Sequence, residues 1–304
     1  MTARPTAATA LLAHFRRQRP LRGGSLIITV FGDAIAPRGG AITLRSLIGL
    51  MAPFGLTERL VRTSVARLAT DEWLTSRRVG RLSEYCLAPP GRQRFLDATR
   101  RIYSGPSPDW AGRWTLVLMP GVSAAQRHQA REALRWEGFG EPIPGVLAHP
   151  SLTPAEARIH LNAAHLANQA IILESRAFDP GDQRLIDAGW DLRELAAGYQ
   201  RFIEQFEPVA TRVRSPISPQ DAFLLRTLLI HEYRKIHLRD PMLPSSLLPS
   251  RWPGTAAYEL CRSVYAQVLA AAEAHLTGAT ARLEGSLPAA DSGLARRFAI
   301  APPG

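Results

Sequence analysis

The sequence predicts a multidomain α+β protein, with a helix-turn-helix and hairpin first, a small α+β middle segment next, and a helical C-terminal part last. Three observations carry that prediction. Residues 57–68 read as a slim helix with one apolar edge and an arginine face, and two short strands follow it. Short strands and helices alternate over residues 113–173, and from residue 190 onward long helical patterns take over. The net charge of +11 is uneven: residues 1–104 hold 17 arginines against 6 acidic residues, while residues 105–304 hold 20 of each sign. A basic first domain on a neutral body points to one polyanion-binding module attached to a part with another task.

Taken in order, the first 20 residues carry Arg16, Arg17 and Arg19 after a small-residue run, without the apolar stretch and cleavage site of a leader, so residues 1–21 are expected to form a flexible tail. Residues 25–36 read as a largely buried helix ending at Pro37, with Gly39-Gly40 as a turn. Thr43 caps a second helix, in which Leu44, Leu47, Ile48 and Met51 give the i, i+3, i+4, i+7 pattern until Pro53 stops it. Phe54-Gly55-Leu56 is then the tight turn into a third helix capped by Thr57. Here Val61, Val65 and Leu68 form the buried edge, Arg59, Thr63 and Ala66 project away from it, and Arg62 and Arg67 flank it. A face this slim lets the backbone come close to base edges in the major groove, where arginine takes guanine O6 and N7 with both prongs.

An ordinary amphipathic helix with a solvated arginine face is the plain alternative, and the next stretch weighs against it. Residues 73–78 and 82–87 read as two strands around Gly80, with Arg77, Arg78 and Arg81 crowding the tip. A hairpin directly behind a helix-turn-helix is a wing, and a basic tip suits phosphates or the minor groove. Arg45, on the second helix, is placed to hold a phosphate. A helix over 90–103 and a linker over 104–108 complete a DNA-binding domain assigned to residues 22–104.

The middle domain, assigned to residues 109–178, shows strands at 113–118, 146–149 and 170–173 and helices at 124–136 and 154–166. The C-terminal domain, assigned to 180–280, reads as a helix from Trp190 to Phe206, a Ser218-capped helix to about Leu238, a proline-rich connection over 241–253 and a helix from Gly254 to about Leu276. Residues 281–304 are rich in Ala, Gly and Pro and are expected to be a second flexible tail.

Several runs make a family resemblance specific. Gly32-Asp33-Ala34-Ile35-Ala36-Pro37-Arg38-Gly39-Gly40, Leu60-Val61-Arg62-Thr63-Ser64-Val65-Ala66-Arg67-Leu68, His231-Glu232-Tyr233-Arg234-Lys235-Ile236, Asp240-Pro241 and Leu247-Leu248-Pro249 resemble the PaaX family, in order, over about residues 25–275. These are bacterial repressors of phenylacetate catabolic operons. The resemblance implies a winged helix-turn-helix, a ferredoxin-like (Cas2-like) central domain and a helical C-terminal domain, acting as a homodimer released from operator DNA by phenylacetyl-CoA or a related acyl-CoA. Cas2-type nucleases would carry a metal-binding Asp at the end of their first strand. Here Met119-Pro120-Gly121 follows Leu118, so the central domain is read as architectural.

Enzyme signatures are missing: there is no Gly-x-Ser-x-Gly elbow and no phosphate loop, and His231-Glu232 lacks the second histidine of a zinc-protease helix. Cys86 and Cys261, far apart, suit buried thiols better than a disulfide or a metal site, and neither metal nor cofactor is expected. No run reaches ~18 apolar residues, so no membrane span is expected and a cytoplasmic protein is the simplest reading. One cluster remains: His231, Glu232, Tyr233, Arg234, Lys235, His237 and Arg239. Cations in the last turns of a helix are favourable against its dipole, which explains the cluster without a ligand. An acyl-CoA would equally use Arg234, Lys235 and Arg239 for its phosphates, with Tyr233, Trp190 or Trp252 as a wall. The sequence therefore supports a dimeric, sequence-specific repressor. An architectural nucleic-acid-binding protein without an effector is the alternative.

Overall fold

The computed structural model describes residues 7–17, 23–105, 109–178, 181–212, 217–282 and 285–299. It is a mixed α+β structure whose sheets are antiparallel. The chain packs as two units, one built from Met1–Ser104, Arg201–Leu238 and Ala256–Gly304, the other from Gly105–Gln200 and Arg239–Thr255. Most of the helical part assigned to 180–280 completes the unit that begins at the N-terminus.

In the first unit, helix α1 (Ala7–Arg17) buries Leu11, Leu12 and Phe15, where a flexible tail was expected. The Phe15 ring meets Phe54 and His231 edge-on, which gives that apolar stripe its partner. Helix α2 (Gly23–Val30) runs into one π turn (Phe31–Ile35) and a 3-10 turn (Ala36–Arg38), ending at Gly39 with φ 84°. A three-residue strand, β1 (Ala41–Thr43), precedes helix α3 (Leu44–Met51), whose cap Thr43 accepts from the Ser46 amide. Gly55, at φ 87°, closes the turn before helix α4 (Glu58–Thr70). Strands β2 (Leu74–Val79) and β3 (Leu82–Leu87) form the expected hairpin, and β1 joins the far side of β3, giving the order β1-β3-β2. Helix α5 (Pro89–Tyr103) starts so close to the hairpin that a Cβ on Gly91 would stand 2.2 Å from the Trp73 carbonyl oxygen; only glycine fits.

The second unit follows the expected alternation and adds elements to it. Strand β4 (Trp114–Leu118), helix α6 (Ala124–Arg135), strands β5 (Gly140–Ile143) and β6 (Val146–His149), helix α7 (Pro154–Ala163) and strand β7 (Ile171–Ser175) build a sheet of order β5-β6-β4-β7. Both helices begin on capping boxes, Ser123 with Gln126 and Thr153 with Glu156. Ala130, Leu134, Ala157 and Leu161 cover one sheet face at Val117 and Leu147. On the other face Trp114 and Ala148 pack with Ile186, from helix α8 (Gly181–Gly189), and with Leu243 and Leu247. Strand β5 and helix α8 are the additions.

Helix α9 (Leu192–Arg212) leads to α10 (Pro219–His237), capped by Ser218, and to α11 (Pro253–Ala279). Every residue of α10 from Ala222 to His231 is buried, so this helix runs through the interior of the first unit. A short pair, β8 (Ala281–Arg282) and β9 (Gly285–Ser286), helix α12 (Ser292–Ala295) and a 3-10 turn (Arg297–Ala299) end the described chain. Leu287, Leu294, Arg297 and Phe298 are buried, so residues 285–299 are a packed segment and not the tail expected from composition. The rest of the two expected tails, 1–6, 18–21, 283–284 and 300–304, lies outside the described residues, as do residue 22 and linker residues 106–108. No helix among the described residues is long and apolar enough to cross a membrane.

Candidate nucleic-acid interface

Helix α4 buries Val61, Val65 and Leu68 and exposes Arg59, Arg62, Thr63, Ala66 and Arg67, the division expected from its spacing. Its first turn is held by Thr57, whose hydroxyl accepts from the Leu60 amide at 3.2 Å. Two of the arginines have partners. Arg62 donates to Glu58 at 2.7–2.9 Å, one helical turn back, and Arg67 lies 3.7 Å from Asp71. All four groups are at least half exposed, so each pair is worth only about 0–1 kcal/mol and gives way readily to a better acceptor. Thr63 turns its hydroxyl back onto the Arg59 and Leu60 carbonyls at 3.0 and 3.1 Å, which leaves its methyl as the group it presents.

The hairpin tip turns at Gly80, where φ is 58°. Arg78 donates to the Gly80 carbonyl at 3.1 Å and stays exposed, as does Arg81. Arg77 differs: it lies 3.3 Å from Glu84, a buried carboxylate that Arg282 also approaches at 3.7 Å. Part of its charge is thus offset across the hairpin, while its side chain stays 52% exposed. Val79 and Leu82 pair across the tip and are 58% and 49% exposed, an apolar couple that the sequence reading passed over. Their position on either side of Gly80-Arg81 was the available signal. Arg45 is exposed on α3.

The second candidate set separates. His231 and Tyr233 are 3% and 0% exposed and belong to the interior. Burial, with Arg234 and Lys235 nearby, holds the His231 imidazole well below its usual 6.5, so it stays neutral and bonds to Thr29 at 3.0 Å. Arg234 spends its guanidinium on Ser25 and Thr29 of α2. What suggested a cationic ligand site is a set of tertiary contacts, legible only once α2 is known to lie against α10. Lys235 is exposed and paired with Glu232 at 2.8 Å. In the other unit, Arg239 pairs with Glu194 at 2.7 Å, and Trp252 stands edge-on to Tyr199 at 6.0 Å. Tyr199 in turn donates to Asp240 at 2.7 Å, so Arg239 and Trp252 are brought to the same stretch of α9. Trp190, half-buried, donates to the Gly138 carbonyl at 3.0 Å and borders an open cavity of about 540 Å³ lined by residues 187–193. Among the described residues, no group of three or more His, Cys, Asp or Glu is placed to hold a metal ion.

Comparison with known proteins places family matches along three consecutive segments. PaaX-like protein matches residues 22–91, the PaaX protein central Cas2-like domain matches 107–186, and the PaaX-like protein C-terminal domain matches 190–278. The transcriptional repressor PaaX of Escherichia coli (strain K12) is 36% identical over 286 residues, covering 92% of this chain and 90% of its own. Among solved structures, the uncharacterized protein Rv0674 from Mycobacterium tuberculosis is similar at a TM-score of 0.48 and 23% identity, over 75% of this chain and 90% of that one.

Proposed function

This chain belongs to the PaaX family and is a transcriptional repressor, and we propose that it grips operator DNA through a winged helix-turn-helix made of α3, α4 and the β2–β3 hairpin. The observation that carries this reading is the exposed edge of α4, where Arg59, Arg62 and Arg67 flank the small residues Thr63 and Ala66, in the domain that holds the whole net charge. In this reading the arginines of α4 meet guanine edges and the Thr63 methyl meets a thymine methyl. Arg45, Arg78 and Arg81 hold phosphates, with a smaller share for Arg77 because of Glu84. A two-fold dimer implies a roughly palindromic operator with half-sites about one helical turn, or a multiple, apart.

The signal that releases the operator, in our reading, is an aryl-CoA thioester such as phenylacetyl-CoA, and the controlled operon serves aromatic-acid breakdown in the cytoplasm. Support comes from the family's resemblance and from the candidates that stay accessible: Lys235 in one unit, and Arg239, Trp252 and the cavity beside Trp190 in the other. Such a ligand acts by binding one dimer geometry better than another, which moves the two recognition helices off the operator spacing.

The test is a titration of the protein onto its own upstream intergenic DNA and onto a scrambled duplex at about 150 mM salt, with and without phenylacetyl-CoA. Selective binding abolished by the thioester supports the whole reading. Selective binding that ignores the thioester keeps the repressor and rejects that effector, and equal binding to both duplexes favours an architectural DNA-binding protein.

A further inference from the structure

Helix α10 touches the DNA-facing part of the first unit at three levels. Near its start, the Phe223 ring meets Phe54 edge-on at 6.1 Å, in the turn that leads into α4. Arg226 then grips Asp33, with Nε 2.6 Å from Oδ2 and Nη2 2.6 Å from the Asp33 carbonyl oxygen. Near the end of the helix, Arg234 gives Nε to Thr29 Oγ1 at 2.8 Å and Nη2 to the Ser25 carbonyl and hydroxyl oxygens at 2.7 and 2.8 Å. Ser25, Thr29 and Asp33 stand at i, i+4 and i+8, one edge of α2 and of the π turn that continues it. The late residues of α10 meet the early residues of α2, so the two helices run antiparallel along that edge.

Helix α2 in turn lies directly against α4. A Cβ on Gly23 would stand 3.0 Å from Ser64 Oγ, 3.2 Å from Leu60 Cγ and 3.3 Å from Leu56 Cδ2. With no side chain at Gly23 to take up slack, a shift of α2 is passed to α4. Arg234 is the margin of this arrangement: it is half-buried, and its removal takes away three hydrogen bonds and no core side chain.

Resting on the reading of α4 as the DNA-contacting helix, we infer that Arg234 is a positioning residue. From α10 it fixes α2, and through α2 it fixes the angle at which α4 presents its arginines. It touches no DNA itself. Its loss leaves every charge of α4 and the hairpin in place and loosens their alignment. Base-edge contacts, which need bidentate geometry, suffer, while phosphate contacts, which tolerate displacement, do not.

The experiment compares wild type, Arg234→Ala and Thr29→Val for affinity to the upstream operator duplex and to a scrambled duplex, with melting followed by circular dichroism on the same samples. Thr29→Val keeps the shape and the Arg234 charge and removes the hydroxyl that accepts from Arg234 and also bonds His231 and the Ser25 carbonyl. The expected result is a loss of operator affinity of about tenfold in Arg234→Ala, a smaller loss in Thr29→Val, and scrambled-duplex affinity within about threefold of wild type in both. A role confined to folding would lower the melting temperature and leave the operator-to-scrambled ratio of the folded protein unchanged. That unchanged ratio in both variants, with wild type still selective, overturns the inference alone. If Arg234→Ala does not fold, Thr29→Val decides by the same ratio. A wild type that does not discriminate the duplexes overturns the repressor reading and this inference with it.

Discussion

Arg226 Nε lies 2.6 Å from Asp33 Oδ2, joining two buried residues 193 positions apart. Asp33 is the centre of a wider knot. Its Oδ1 also accepts from Tyr103 at 2.6 Å, Tyr265 at 2.9 Å and Arg297 at 2.8 Å, while Arg226 and Arg38 share Glu273. Burial alone raises the Asp33 carboxyl, but Arg226 and Arg297 outweigh it and hold the group ionised, below its usual 3.8. Helices α5, α10 and α11 and the C-terminal segment all reach this one carboxylate, which stands in the π turn after α2.

Replacing Asp33 by Asn keeps the shape, leaves Arg297 without its anion and leaves Arg226 with only Glu273, which Arg38 also holds. A buried pair broken on one side costs about 3–5 kcal/mol, because the remaining charge is neither solvated nor matched. The variant is therefore expected to unfold at clearly lower urea concentration than wild type. A loss under about 1 kcal/mol would mean that water reaches the knot and screens it.

What the sequence reveals of this architecture is local. The cap at Thr57, the stripe of Val61, Val65 and Leu68, and the two strands around Gly80 are set by residues close to one another, and the structure has them where the spacing puts them. The missing parts depend on distant partners. Leu11, Leu12 and Phe15 read as a tail because Phe54 and His231, which cover Phe15, come from elsewhere in the chain. Arg297 sits in a stretch whose composition suggests fraying, yet it meets Asp33 across 264 residues. His231, Tyr233 and Arg234 read as ligand groups for the same reason: nothing in their own helix shows that α2 takes up His231 and Arg234 or that Phe202 of α9 packs on Tyr233. Strand β1, three residues long, carries too little pattern to be seen at all.

Arg62 is the residue on which base reading is best tested. Its bond to Glu58 is exposed and weak, so it is no barrier to binding DNA. Arg62→Ala is expected to lose about 1–3 kcal/mol at the operator and to relax the preference at one base pair, measured as Kd across single-base operator variants. An unchanged preference at every position would remove Arg62 from base readout.

The hairpin tip is expected to act through charge alone. Arg78→Ala should weaken operator and scrambled DNA alike and reduce the log–log salt slope by about 1, while Arg77→Ala should do less, since Glu84 offsets part of that charge. Affinities at four salt concentrations for each variant check both statements. A loss at Arg78 confined to the operator would contradict a phosphate role.

His231 predicts a pH dependence whose sign can be worked out. In the unfolded chain its imidazole titrates at the usual 6.5; in the folded protein burial, aided by Arg234 and Lys235, holds it well below that. Between those two values the unfolded state binds one more proton than the folded state. Stability therefore rises with pH across that window, is complete above about 6.5, and is lost as the solution is acidified from there. The slope contributed is at most about 1.4 kcal/mol per pH unit. In His231→Gln the side chain still reaches Thr29 with a polar group but takes up no proton, so its stability should be flatter between about pH 6.5 and 5. All other groups titrate in both proteins, so the difference between the two urea-midpoint profiles isolates this one. Parallel profiles would mean that His231 protonates freely in the folded state, which a side chain sealed between Phe15 and Thr29 does not permit.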